Sequence, residues 1–157
     1  MENLKYAGFW WRFLAYILDA IIIGVIQWII VVPLLALVGF SAASAASNGI
    51  NETEAIGMVG AIIGTAMVTY LALIVLMWLY FALMESSKFQ GTVGKIAIGL
   101  VVTDLEGNRI SFARATGRYF GKILSSMIFM IGYILAGFTQ KKQALHDMLA
   151  GTLVWKK

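Results

Sequence analysis

Arg12 and Asp19 stand seven positions apart at the mouth of a very apolar segment, and they are the first residues whose types and spacing could do chemistry. On a helix they share a face to within about 20° but lie roughly 10 Å apart along the axis, and helical side chains lean toward the N-terminus, so Arg12 points away from Asp19. A private ion pair is therefore not expected. Tyr16 and Gln27 fall near the same stripe, giving an oily helix a polar line of the kind that faces protein or water. If Trp10 and Trp28 mark the two interfaces, the helix between them spans about 27 Å, close to a hydrocarbon core of roughly 30 Å, and Asp19 lies midway. A carboxylate at that depth costs on the order of 3 kcal/mol. Read functionally, Asp19 is a proton or cation site, because burial favours its protonated form and a nearby cation its charged form, so alternating surroundings would load and release it. Read structurally, it is held neutral or is paired with a base such as Arg118, Lys122 or Lys95 brought over by a later segment. Arg12 has two readings as well, a member of an ion site or an anchor to interfacial phosphate.

The other groups with chemical potential are sparser. His146 beside Asp147 has the composition of a metal or proton-transfer pair, but neighbours on a helix do not face each other and two ligands are too few for a structural metal, so a capping or hydrogen-bonding pair is the plainer reading. Gly91-Thr92-Val93-Gly94-Lys95 resembles a phosphate loop only superficially, because Phe89 stands where the first glycine belongs and Ile96 where a Ser or Thr should follow the lysine. No zincin helix, nucleophile elbow or second mid-span aspartate appears, so no catalytic set, metal site or cofactor is expected. With no cysteine, thiolate chemistry and disulfides are excluded.

These residues must be positioned by membrane helices. Of 157 residues, 61% are hydrophobic and only 13% charged, where about 25% charged is usual for a soluble domain. The net charge of +4 sits between and beside apolar runs, which suits anionic lipid head groups better than nucleic acid. The apolar run over residues 13–40 is about twice a signal-peptide core of roughly 7 to 15 residues and contains Asp19, so it is read as part of the mature protein despite the small residues at 41–47. After a polar start carrying Glu2 and Lys5, a first span covers about residues 9–38, with Pro33 loosening its outer end. Residues 41–54, with Glu52 and Glu54 and no Lys or Arg, read as a non-cytoplasmic loop, and a second span covers about residues 55–84. Gly60 and Gly64 in that span form a GxxxG that would permit close helix approach.

Residues 85–122 carry six bases against Glu85, Asp104 and Glu106, a net +3 that places them in the cytoplasm. Residues 98–103 and 109–112, around the Asp104–Asn108 turn, read as a small β-hairpin. Ser111 could cap a following helix on which Arg114, Arg118 and Lys122 share one face. The third apolar run, residues 123–138, is only 16 residues long and is followed at once by Lys141 and Lys142. It is expected to enter the membrane and turn back near Gly132 as a re-entrant or broken helix, buried in the bundle or at a dimer seam, with both termini cytoplasmic. The alternative is a full third span that recruits residues 115–122 with Arg118 and Lys122 snorkelling. Residues 139–157 form a cytoplasmic tail with a helical turn over residues 143–149 and a β-prone stretch, residues 151–155, that could join the hairpin. The fold class is thus an all-α membrane protein of two full spans and one re-entrant or broken membrane helix, with a small cytoplasmic β-hairpin and a C-terminal β tail.

The entry Ala7-Gly8-Phe9-Trp10-Trp11-Arg12, then Asp19, the Gly91-Thr92-x-Gly94-Lys95 stretch, Gly99-Leu100-x-Val102 with Asp104 and Gly107, and the closing Gln143-Ala144-Leu145-His146-Asp147-x-x-Ala150-Gly151-Thr152 resemble the RDD family of bacterial membrane proteins. The resemblance covers nearly the whole chain. It implies that Arg12, Asp19 and Asp147 are the arginine and two aspartates for which the family is named, and that the protein resides in the bacterial plasma membrane. Family members have been linked to monovalent cation/proton exchange, and RDD modules also occur within larger membrane assemblies. Two expectations follow. One is a transport role, in a homo-oligomer, in which Asp19 exchanges a proton or Na⁺ with Arg12 and Asp147 as further ion-site candidates and Tyr16, Gln27, His146, Lys95, Arg118 and Lys122 in support. The other is an assembly or scaffold subunit in which the charged residues hold the fold and the basic module docks a partner or anionic lipid.

Overall fold

The computed structural model describes residues 5–127 and 131–157; Glu2 of the polar start and residues 128–130 of the third apolar run lie outside the described residues. A two-residue strand β1 (Lys5–Tyr6) leads into helix α1 (Phe9–Ser47), and α2 (Glu52–Ser86) follows after a four-residue turn. α1 continues through Pro33 and through the Ser/Ala stretch first read as loop. It does so because alanine is the best helix former and each serine hydroxyl donates back to a carbonyl of the preceding turn: Ser41 to Val38, Ser44 to Phe40 and Ser47 to Ser44. α2 opens with a reciprocal cap, in which Glu54 N–H donates to Asn51 Oδ1 at 2.9 Å and Asn51 N–H to Glu54 Oε2 at 3.1 Å. At 39 and 35 residues the helices are about 59 and 52 Å long, far more than a bilayer core needs.

The chain divides into two compact units. One is Ile22–Leu76, the later part of α1 and the earlier part of α2. Its only charged side chains are Glu52 and Glu54, and its large apolar side chains are outward-facing. A Cβ added at Gly60 or Gly64 would meet nothing within 4 Å, so the GxxxG makes no close helix approach among the described residues. The other unit, Met1–Ile21 with Met77–Lys157, holds everything else.

That second unit contains α3 (Val93–Ala97), β2 (Leu100–Asp104), α4 (Phe112–Met127), α5 (Ile131–Phe138), α6 (Leu145–Ala150) and β3 (Thr152–Lys156). Its sheet is antiparallel in the order β1-β3-β2, with Lys5 opposite Lys156 and Leu100 through Asp104 opposite Lys156 through Thr152. The β tail therefore supplies the central strand. The expected hairpin closes its turn, since Asp104 accepts from the Glu106 and Asn108 N–H groups, but residues 109–111 do not return as a strand. The reason is that Ser111 caps α4, its hydroxyl accepting from Arg114 N–H at 3.3 Å, and β3 takes the pairing edge instead. Ala7, Ala15, Ala82, Leu100, Val102, Ile110, Ala115 and Val154 form the apolar core beneath the sheet.

The sheet also fixes how often the chain crosses a membrane. A hydrogen-bonded sheet cannot be divided by hydrocarbon, so its three strands lie on one side. Between β1 and β2 lie α1 and α2, each long and apolar enough to cross a membrane. Between β2 and β3 the chain must cross an even number of times, so α4 and α5 together are not a third full span. Their axes differ by 97°, and Gly132 packs directly on Ser125 of α4, so the third apolar run is broken; the residues between the two helices, 128–130, lie outside the described residues. One side of α5 packs within the chain, with Ala136 fully buried, while Ile134 and Phe138 face outward.

Candidate functional site

The polar centre of the sheet-bearing unit is built from the first turns of α1, the last turns of α2, and α3, α4 and α6. Asp19 is 2% exposed and is met by neutral donors. Thr92 Oγ1 donates to its Oδ2 at 2.5 Å, while Gly94 N–H at 2.7 Å and Tyr80 O–H at 3.2 Å donate to Oδ1. Thr92 is the N-cap of α3 and makes no cap of its own, because its hydroxyl is spent on Asp19; the carboxylate of α1 instead caps α3 from outside. The glycine-rich stretch that fails as a phosphate loop is therefore a cradle for an anion the chain itself supplies. Gly94 is required there, since a Cβ would lie 2.3 Å from the Ala15 carbonyl oxygen. The expected pairing of Asp19 with Arg118, Lys122 or Lys95 does not occur, because other carboxylates take those bases.

Arg12 reaches the opposite end of the sequence. Its guanidinium pairs with Asp147 Oδ2 and donates to the Ala7 and Lys142 carbonyls at 2.8 and 2.7 Å. Asp147, fully buried in the first turn of α6, also lies 2.9 Å from Arg118 Nη2 and accepts from Ala144 N–H at 3.0 Å. Burial works to raise the Asp147 pKa, but Arg118 and Arg12 outweigh it and hold the carboxyl well below its ordinary range. Gly151, in the left-handed conformation at φ 59°, ends α6 and turns the chain into β3.

Arg118 then links this pair to Glu85. Glu85 is buried at the end of α2, bonded to Lys95, with Arg118 Nε and Lys122 Nζ each 3.4 Å away. A carboxylate at a helix C-terminus opposes the helix dipole and needs such compensation. Burial lowers the Lys95 pKa to about 7, against the raising influence of Glu85. Lys122 also lies 4.4 Å over the Phe81 ring. Four bases thus meet two carboxylates in one buried network, and Arg118 Nη1 has no acceptor among the described residues.

His146 is buried beside this network, its ring nitrogens 3.5 Å from Ser125 Oγ and Asp147 Oδ1 and its ring against Tyr133. Burial depresses its pKa to about 3, so it is neutral at ordinary pH. Of the other residues expected in support, Lys95, Arg118 and Lys122 join the network, Tyr16 points outward with 64% exposure, and Gln27 falls in the Ile22–Leu76 unit. Tyr16 diverges from the stripe because the close approach of α3 occupies the Ala15–Asp19 side of α1 alone. Glu85, Thr92, Gly94 and Tyr80 were not singled out from the sequence as members of the site. Among the described residues no group of three His, Asp or Glu side chains is placed to hold a metal. The arrangement can do two things: bind segments together by charge and hydrogen bond, and confine protons among buried acids and bases.

The RDD family profile matches residues 6–151. The uncharacterized protein YxaI of Bacillus subtilis (strain 168) is 42% identical over 150 residues, covering 96% of this chain and 97% of that protein. The uncharacterized membrane protein YteJ of the same organism is 32% identical over 155 residues, covering 95% of this chain and 80% of that protein. No solved structure matches.

Proposed function

The chain belongs to the RDD family, and from that premise we propose that it is a non-enzymatic assembly subunit of a membrane complex, in which Arg12, Asp19 and Asp147 hold a folded cap onto the membrane helices. The observation that carries this reading is how Asp19 is held: both its oxygens accept from the protein, from Thr92, Gly94 and Tyr80, none of them a cation. To exchange an ion there, the protein would have to break bonds worth about 1.5–3 kcal/mol each. The length of α1 favours the same reading. About 20 residues suffice to span, and residues 20–40 supply them without a charge, so Asp19 need not lie at mid-membrane. On this reading the excess of Lys and Arg in residues 77–157 places the cap on the cytoplasmic side of a bacterial plasma membrane, against anionic head groups, in a homo-oligomer or a larger complex.

The competing reading is monovalent cation/proton exchange at Asp19. Purified protein and its Asp19→Asn variant, reconstituted in proteoliposomes, separate the two. The assembly reading expects no cation-dependent proton flux from either protein and, for the variant, a lower melting temperature and loss of any complex that co-purifies from native membranes. Flux in the unmodified protein that disappears in a variant of unchanged stability would overturn it.

A further inference from the structure

Helix α4 is arranged inside out for a helix facing water. Its buried face carries Ala115, Arg118, Gly121 and Ser125. Its opposite side carries Ala113, Gly117, Phe120, Leu124 and Met127, all exposed and none charged. At 100° per residue these five fall within a stripe about 80° wide, and from Ala113 to Met127 the stripe runs roughly 21 Å. Phe120, Leu124 and Met127 are 54%, 45% and 74% exposed. Large apolar side chains in series require a non-aqueous neighbour.

Three observations select acyl chains as that neighbour. The pairing of β3 with β2 forbids α4 and α5 from being a single crossing, so the stripe is not one side of a span. The bases that recur along α4 are turned away from the stripe and answered by protein: Arg114 lies 3.7 Å from Asp104, and Arg118 and Lys122 reach Glu85 and Asp147. The helix can thus rest on hydrocarbon without carrying a bare charge into it. Finally, α4 is joined at its middle to an indole, Trp78 Nε1 donating to Thr116 Oγ1 at 3.2 Å with Phe112 and Phe120 flanking the ring, and tryptophan favours the boundary between head groups and hydrocarbon. We propose that α4 lies in the plane of the membrane interface, with its Ala113-Gly117-Phe120-Leu124-Met127 stripe resting in the acyl chains of one leaflet. The protein is then monotopic over this helix while its first two helices span. This placement follows from strand pairing and side-chain polarity and does not depend on the assembly role.

The chain has no cysteine, so single-cysteine variants can be spin-labelled without background. Ala113→Cys, Gly117→Cys, Phe120→Cys, Leu124→Cys and Met127→Cys are reconstituted in vesicles of phosphatidylethanolamine and phosphatidylglycerol. Label depth is then read from collision with oxygen and with a water-soluble nickel chelate. An in-plane helix gives five labels at one shallow depth, within about 5 Å, all favouring oxygen. A crossing helix gives depths that change steadily over about 20 Å at 1.5 Å per residue, which overturns the proposal. Preferential collision with the chelate, which means an aqueous face, overturns it equally. So does exclusion of both reagents, which means a protein partner or a second copy. The positions report independently and all face outward, so loss of one variant to poor folding leaves the depth profile readable.

Discussion

At the scale of single residues, the site is decided by what each carboxylate can find. Asp19 finds hydroxyls and an amide, whereas Asp147 and Glu85 find arginines and lysines. Arg12, Asp19 and Asp147 were legible because the end motifs resemble a family; Glu85 was not, because it sits at the end of an apolar run and was counted with the cytoplasmic charges. A physical signal for it did exist. An acid in the last turn of a long helix has the wrong sign for the dipole, and an arginine in the first turns of α1 likewise, so both ask for a distant partner. Gly94 was legible only as part of a failed phosphate loop, since nothing in the sequence says that the anion comes from α1. It gives a sharp test. Gly94→Ala forces a methyl against the Ala15 carbonyl, and we expect a loss of about 3 kcal/mol or more, read as a large drop in melting temperature in detergent. An alanine variant as stable as the parent would mean that α3 does not seat on α1.

At the scale of elements, local patterns and the joining of the C-terminal tail to β2 were read from the sequence, whereas the strand at Lys5–Tyr6 and the loss of the hairpin's second arm were not. Two long apolar helices, a bent third segment, a cap at Ser111 and a β-prone tail all follow from runs, spacing and capping residues. The second arm of the hairpin failed because alternation over residues 109–112 is outweighed once Ser111 starts a helix. A strand almost fifty residues downstream then fills the edge of β2, and β1 joins from the other end of the chain. Periodicity has no reach over such separations. The pairing is testable directly. Lys5 and Lys156 are antiparallel partners, and such residues have Cα atoms about 4.5–5.5 Å apart, within disulfide range. Lys5→Cys with Lys156→Cys should cross-link on mild oxidation and shift in a non-reducing gel. Failure to cross-link in folded protein would remove both the sheet and the parity of crossings that rests on it.

At the scale of the whole molecule, stability should follow pH through the groups around Asp147. His146 is neutral in the folded protein down to about pH 3, while an unfolded chain takes up that proton near 6.5. The unfolded state therefore binds more protons between those values, and stability falls as pH drops through that window. Asp147 has its folded pKa depressed, so its contribution is present above its ordinary 3.8 and is lost below it, with the same sign. Melting temperature in detergent should decline on acidification from about pH 6.5 and steepen below pH 4. His146→Gln should remove the first decline and leave the second; a profile unchanged by that substitution would show that His146 titrates normally. The central position of β3 has a temporal consequence too. Strand Lys5–Tyr6 leaves the ribosome about 150 residues before its neighbour Thr152–Lys156, a wait of roughly 8 to 30 seconds at ordinary translation speeds. β2, made after both long helices, stands with an unfilled edge over the last part of that interval. A nascent chain arrested before Thr152 has no means of closing its sheet, because β1 and β2 are joined only through β3.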